Sequence, residues 1–182
     1  MTETVSLTQL EEALSGHDRP PVHLWHPDKA GRIDIRIDRE GRWFHEGGEI
    51  QREALVRLFS SILRREGDRY YLVTPVEKLE IDVAVAPFVA IALREVKDEQ
   101  GRVVFLFTTN VGEEIPAGPD HALTVAESPH NGEPLPLLQV RDGLEALLSR
   151  PVFYELVERG DIDGASLTLQ SAGERFVLGA VE

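Results

Sequence analysis

The chain reads as an α+β protein made of two small modules with repeated strand–helix motifs. Three observations predict this. Ile33, Ile35 and Ile37 alternate with Asp34, Arg36 and Asp38, the period-2 pattern of a strand with one buried face. Leu55, Leu58, Phe59 and Ile62 then recur at helical spacing, with Arg57, Ser60 and Arg64 on the opposite face. Beyond residue 78 the pattern becomes mostly β and the charge changes with it. Residues 1–79 carry 12 basic and 14 acidic side chains, whereas residues 80–182 carry 7 and 18.

Taken in order, residues 1–19 form an N-terminal helix and linker. The helix spans 6–14, with Ser6 and Gln9 as a capping box, Leu7, Leu10 and Leu14 on one face, and Gly16 to end it. Residues 20–79 form an N-terminal α+β module. In it the turn at 39–42 reverses the Ile-rich strand, Trp43, Phe44 and His45 return, and Gly47-Gly48 turns the chain into a helix over 52–65. Gly67-Asp68 ends that helix, and Tyr70-Tyr71-Leu72-Val73 is a strand leading to Thr74-Pro75.

Residues 80–182 form a mostly-β module with C-terminal helices. Strands are expected over 81–85, 88–96, 103–109 and 122–126, with a hairpin turn at Gly101. The stretch 128–136 reads as a loop, 142–148 as a helix, and Pro151 suits the first turn of a final helix running to 159. A closing hairpin follows around Gly173. Glu53-Ala54-Leu55-Val56-Arg57 recurs loosely as Glu145-Ala146-Leu147-Leu148, an echo that suggests two related modules.

Composition excludes several function classes. With no cysteine, there is no disulfide, thiolate metal site or cysteine nucleophile. The first residues lack the basic region and apolar core of a secretory signal, and no apolar run approaches the roughly 18 residues that span a bilayer. These features predict a cytoplasmic protein without a membrane partner. A net charge of −13 repels a phosphate backbone and argues against general nucleic-acid binding. The balanced first half still leaves room for a local basic site that takes a small anion.

Candidate site residues follow from side-chain chemistry. Arg36 lies on the non-core face of its strand, where Asp34 and Asp38 either neutralise it or leave it to a ligand. Arg57 shares a polar helix face with Ser60 and Arg64, and guanidinium groups grip phosphate or carboxylate bidentately. Thr74, Glu77 and Lys78 sit in a Pro-stiffened segment near the module junction, as binding groups or as a rigid linker. Of the adjacent tyrosines, Tyr70 and Tyr71, one faces the core and the other is free to line a cleft. Asn110 follows a strand and faces the same junction or serves as an ordinary turn residue. Trp25 and Trp43 read as packing residues. His23, His26, Asp28 and His45 lack the convergent spacing of a metal site. No Walker loop, dinucleotide glycine fingerprint or nucleophile elbow is present, so no cofactor and no catalytic residue is assigned.

Several longer strings point to a family. They include His23-Leu24-Trp25-His26-Pro27, Asp34-Ile35-Arg36-Ile37 and Ala54-Leu55-Val56-Arg57-Leu58-Phe59-Ser60. Arg69-Tyr70-Tyr71-Leu72-Val73-Thr74-Pro75-Val76-Glu77-Lys78 and Gly143-Leu144-Glu145-Ala146-Leu147-Leu148-Ser149-Arg150-Pro151 continue them. In these the chain resembles the bacterial family catalogued as domain of unknown function 1285. The resemblance implies a two-domain α+β protein with repeated motifs and a C-terminal part superficially like a pleckstrin-homology fold. It also implies a cleft between the domains as the site of a nucleotide-like ligand in signalling.

The leading expectation is therefore a non-catalytic protein that binds a small, nucleotide-like anion through Arg36, Arg57, Tyr71, Thr74, Glu77, Lys78 and Asn110. Two alternatives stand beside it. An enzyme acting on a nucleotide-like compound would need a metal or a positioned base. A protein-interaction adaptor would need a large exposed apolar patch.

Overall fold

The computed structural model describes residues 19–182, so the helix expected over 6–14 lies outside the described residues. The chain divides into two compact units, Met1–Val85 and Ala86–Glu182. Both are dominated by sheet, with one α-helix each among the described residues.

The first unit runs β1 (Lys29–Ile37), β2 (Trp43–His45), β3 (Gly48–Glu49), α1 (Glu53–Ser61), β4 (Leu63–Glu66), β5 (Arg69–Val73) and β6 (Glu77–Val83). These strands form one six-stranded sheet in the order β3-β2-β1-β6-β5-β4. Two antiparallel meanders meet at its centre, where β1 and β6 run parallel. The alternation along β1 does what a period of two requires: Ile35 and Ile37 are fully buried, while Arg36 between them is exposed. Helix α1 packs its Leu55 and Phe59 onto that buried face, and Phe59 meets Trp43 with ring centroids 6.2 Å apart.

Helix α1 is shorter than the 52–65 expected. The Ser60 and Ser61 hydroxyls donate to the carbonyls of Arg57 and Leu58, which loosens the helical ladder. Ile62 then leaves helical geometry, and Leu63 pairs with Leu72 across the β4–β5 hairpin. Arg64 is consequently a strand residue and does not share a helix face with Arg57.

The second unit runs β7 (Phe88–Lys97), β8 (Val103–Thr109), β9 (Glu114–Pro116), β10 (Leu123–Glu127), β11 (Pro134–Arg141), β12 (Leu144–Leu148), α2 (Arg150–Glu158), β13 (Asp161–Asp163), β14 (Ser166–Ser171) and β15 (Glu174–Ala180). Its main sheet has the order β10-β11-β12-β7-β8-β9, again with the first and sixth strands parallel at the centre. A three-stranded sheet, β13-β14-β15, follows α2.

The helix expected over 142–148 is a correction: β12 occupies Leu144–Leu148. Leu144, Ala146, Leu147 and Leu148 are all buried, because a central strand covered on both faces reads as a continuous apolar run. Of the C-terminal helices expected, only α2 is present in this unit.

The echo between Glu53–Arg57 and Glu145–Leu148 therefore pairs a helix with a strand and has no structural meaning. The repetition lies in topology. Each unit strings six strands into the same order, two meanders joined by a parallel central pair.

It also lies in one turn. Asp38-Arg39-Glu40-Gly41-Arg42 joins β1 to β2, and Asp98-Glu99-Gln100-Gly101-Arg102 joins β7 to β8. In each, the aspartate accepts two backbone N–H bonds and a third from the arginine Nε at 2.8 Å. In each, the glycine takes a left-handed φ, 80° and 76°, where an L side chain is strained.

Candidate functional site

The face of the first sheet opposite α1 is where the charged residues gather. The register places Arg36 across from Phe44 on one side and Asp82 on the other. The next row runs Arg32, Glu80, Tyr71, Arg64 across β1, β6, β5 and β4. Lys78 and Arg69 belong to the same face by alternation.

Most of these charges neutralise one another. Arg32 binds Asp82 at 2.7 Å and approaches Glu80 at 3.6 Å, and its hydrogen bond to Asp82 raises its guanidinium pKa. Arg69 approaches Glu80 at 3.7 Å. Lys78 binds Glu66 at 2.6 Å while its ammonium sits 4.7 Å from the centre of the Tyr71 ring. Arg64, largely buried, donates to the carbonyls of Val22 and Trp25 and so pins the 3₁₀ turn Val22–Leu24.

Arg36 differs. Asp38, which sequence alternation offers as its partner, is consumed by its own turn and by Arg42. That hydrogen bond raises the Arg42 guanidinium pKa. Asp82 is taken by Arg32. Arg36 is left stacked on the Phe44 ring, 4.5 Å from its centroid, with no ion pair among the described residues. Arg42 stands 5.8 Å from the same ring. An exposed guanidinium fixed over an aromatic face loses little freedom on meeting an anion, so it is preorganised to receive one.

The other expected site residues fall elsewhere. Arg57 is on α1, which covers the opposite face through Phe59 and Trp43, and it lies 3.8 Å from Glu53. It is not brought together with Arg36. Tyr70 turns into the core and Tyr71 onto the polar face. Thr74 is buried, and its hydroxyl accepts from the Glu77 N–H and donates to the Glu77 carbonyl, closing the β5–β6 turn.

Glu77 is the first residue of β6, not part of a linker. It sits on the core-side face with Leu79, buried, 3.7 Å from Lys29. Asn110 belongs to the second unit, where its side-chain oxygen accepts the Val89 N–H at 3.0 Å and its own N–H bonds the Val89 carbonyl. Its place is to tie the β8–β9 turn to β7. Among the described residues, no three His, Asp or Glu side chains gather as a metal ion needs.

Phe44 and Arg32 are among the members of this face that sequence reasoning passed over. The signal was there. A turn closed by Asp38 and Arg42 fixes the hairpin register, and counting outward sets Ile37 against Trp43 and Arg36 against Phe44.

Comparison with known proteins agrees with this architecture. The N-terminal domain of domain of unknown function 1285 matches residues 20–86, and the C-terminal domain of that protein of unknown function matches residues 87–178. No match was found among curated proteins. A crystal structure of a DUF1285 family protein from Silicibacter pomeroyi DSS-3 shares 45% identity at a TM-score of 0.91, covering 98% of this chain and 97% of that one. A second, from Shewanella baltica OS155, shares 24% identity at a TM-score of 0.53 over 68% of this chain and 90% of that one, a likeness of fold alone. With both domains matched in sequence and a relative of 45% identity spanning nearly the whole length, the chain belongs to the DUF1285 family.

Proposed function

We propose that the first unit is a ligand-binding module for a small, nucleotide-like anion, received on the polar face of its sheet, and that the protein works by occupancy and not by turnover. The observation that carries this reading is the Arg36 guanidinium, held over Phe44 and left without a carboxylate partner among the described residues. An anionic group would bond its free N–H edges in a charge-assisted pair. A flat ring would find the Tyr71–Lys78 stack on the same face. On this face Glu66, Glu80 and Asp82 are committed to Arg32, Arg69 and Lys78, so these three do not stand ready as a general base. In this reading the module reports the presence of its ligand in a signalling role.

The test is a thermal-shift and calorimetry panel of nucleotides, sugar phosphates and inorganic phosphate on the full chain. A binder at a hundredfold excess over its Kd stabilises by about 2.7 kcal/mol. Arg36→Ala should weaken the best binder about tenfold or more. Arg57→Ala, on the other face, should leave it unchanged. The reading is lost if no compound binds, or if Arg57→Ala and Arg36→Ala behave alike.

A further inference from the structure

We propose that a groove within the second unit binds an organic ammonium cation, with Asp161 as its anchoring carboxylate. The groove encloses about 550 Å³, within the usual range of small-molecule sites of about 300–1,000 Å³. Val103, Phe105 and Leu169 supply its apolar lining, and Glu95, Arg102, Arg159, Asp161 and Gln170 its polar one. It lies where β14 crosses the β7–β8 hairpin. Ser171 fixes that crossing by accepting the Phe105 N–H at 2.9 Å and donating to the Ala117 carbonyl at 2.7 Å.

The charges decide the ligand. Two arginines suggest an anion site, but both are spent. Arg159 bonds Glu95 at 3.2 Å and Glu155 at 3.0 Å. Arg102 bonds Asp98 at 2.8 Å and leans against Gly173, whose missing side chain leaves it room. Among the described residues, the exposed Asp161 carboxylate holds no hydrogen bond or ion pair, and the exposed Gln170 carboxamide lining the same groove holds none either. Counting the partners just named, four carboxylates face two guanidiniums. The C-terminus of α2 adds further negative potential beside Arg159.

The groove therefore offers one free carboxylate, one free amide and an apolar floor in a negative field. That complements an alkylammonium: the cation on Asp161, the methylene chain along the half-buried Val103.

The probe is spermidine, titrated calorimetrically into the full chain at fixed ionic strength. Saturable one-site binding is expected. Asp161→Asn should weaken it about tenfold, the worth of one charge-assisted bond. Glu127→Gln, an exposed acid on β10, should leave it unchanged and so exclude diffuse attraction to an acidic surface. Gln170→Trp, at an exposed strand position, should fill the groove and abolish binding without lowering the melting temperature. Absence of saturable binding to the native chain overturns the proposal, and so do equal losses from Asp161→Asn and Glu127→Gln.

Discussion

Replacing Trp43 by phenylalanine should be nearly free, which is unusual for a core aromatic. Trp43 is 1% exposed and stacks obliquely on Phe59, yet its indole N–H has no acceptor among the described residues. A buried donor without a partner costs about 1–3 kcal/mol in lost hydration. Phenylalanine removes that donor and keeps a six-membered ring against Phe59. What it forfeits is the packing of the smaller indole ring plus a small residual void, together about 1–3 kcal/mol. The two terms oppose and nearly cancel, leaving a net change within about 1 kcal/mol. Phe59→Ala, which empties the other half of the same contact, should instead cost about 3–5 kcal/mol. Urea unfolding read by amide exchange in β1, β2 and β5 is the assay, because two units need not unfold as one transition. A loss above about 2 kcal/mol for Trp43→Phe would refute the reasoning, since it would mean that the indole N–H makes a bond worth keeping.

Other outcomes follow from single contacts. Arg64→Ala should free the Val22–Trp25 turn, seen as a red-shifted Trp25 emission and faster proteolysis near residues 22–28, with a stability loss of about 1–3 kcal/mol. Gly101→Ala should cost about 1 kcal/mol by backbone strain alone, since a Cβ there meets no neighbouring atom. Asp98 should titrate low: desolvation pushes its carboxyl up, but the Arg102 N–H, the Arg102 guanidinium and the Gln100 N–H outweigh it. A depressed folded value adds stability above the unfolded pKa of about 3.9 and loses it as pH falls through the folded value. Asp98→Asn should therefore flatten the acid limb of the stability profile below about pH 4, checked by carboxyl NMR and acid unfolding. An unchanged acid limb would remove Asp98 from that account.

Where a segment's surroundings matched its local pattern, sequence reasoning reached the right element. The Ile33-Ile35-Ile37 alternation, the Leu55–Phe59 helical stripe and the hairpin around Gly173 all have one buried face, which is what periodicity reports. It failed where burial is two-sided or brief. Leu144, Leu147 and Leu148 have helical spacing, yet β12 is sandwiched between β7 and β11 and is apolar on both faces. The three-residue strands β9 and β13 are too short to show a period.

The candidate site was legible in part. Arg36 was identifiable from alternation, but its isolation depends on Asp38 and Asp82 choosing Arg42 and Arg32 instead. That choice is a matter of turn geometry and register. Arg57 misled because a polar helix face looks alike whether or not anything shares its side of the sheet.

The parallel pairing of first and sixth strands has a consequence for biosynthesis. Neither central pair can form until the last strand of its six-stranded sheet has been made, so the decisive contacts join residues as far apart as Lys29 and Glu77. Such non-local closure slows folding, and each unit passes through a stage in which two loose meanders expose their apolar faces. The first unit has time to complete this step alone. At the ribosome's pace of about 5–20 residues per second, the 97 residues of the second unit take roughly 5–20 s to appear. Slowing or hastening translation across that interval is thus a lever on yield that no change of sequence would reveal.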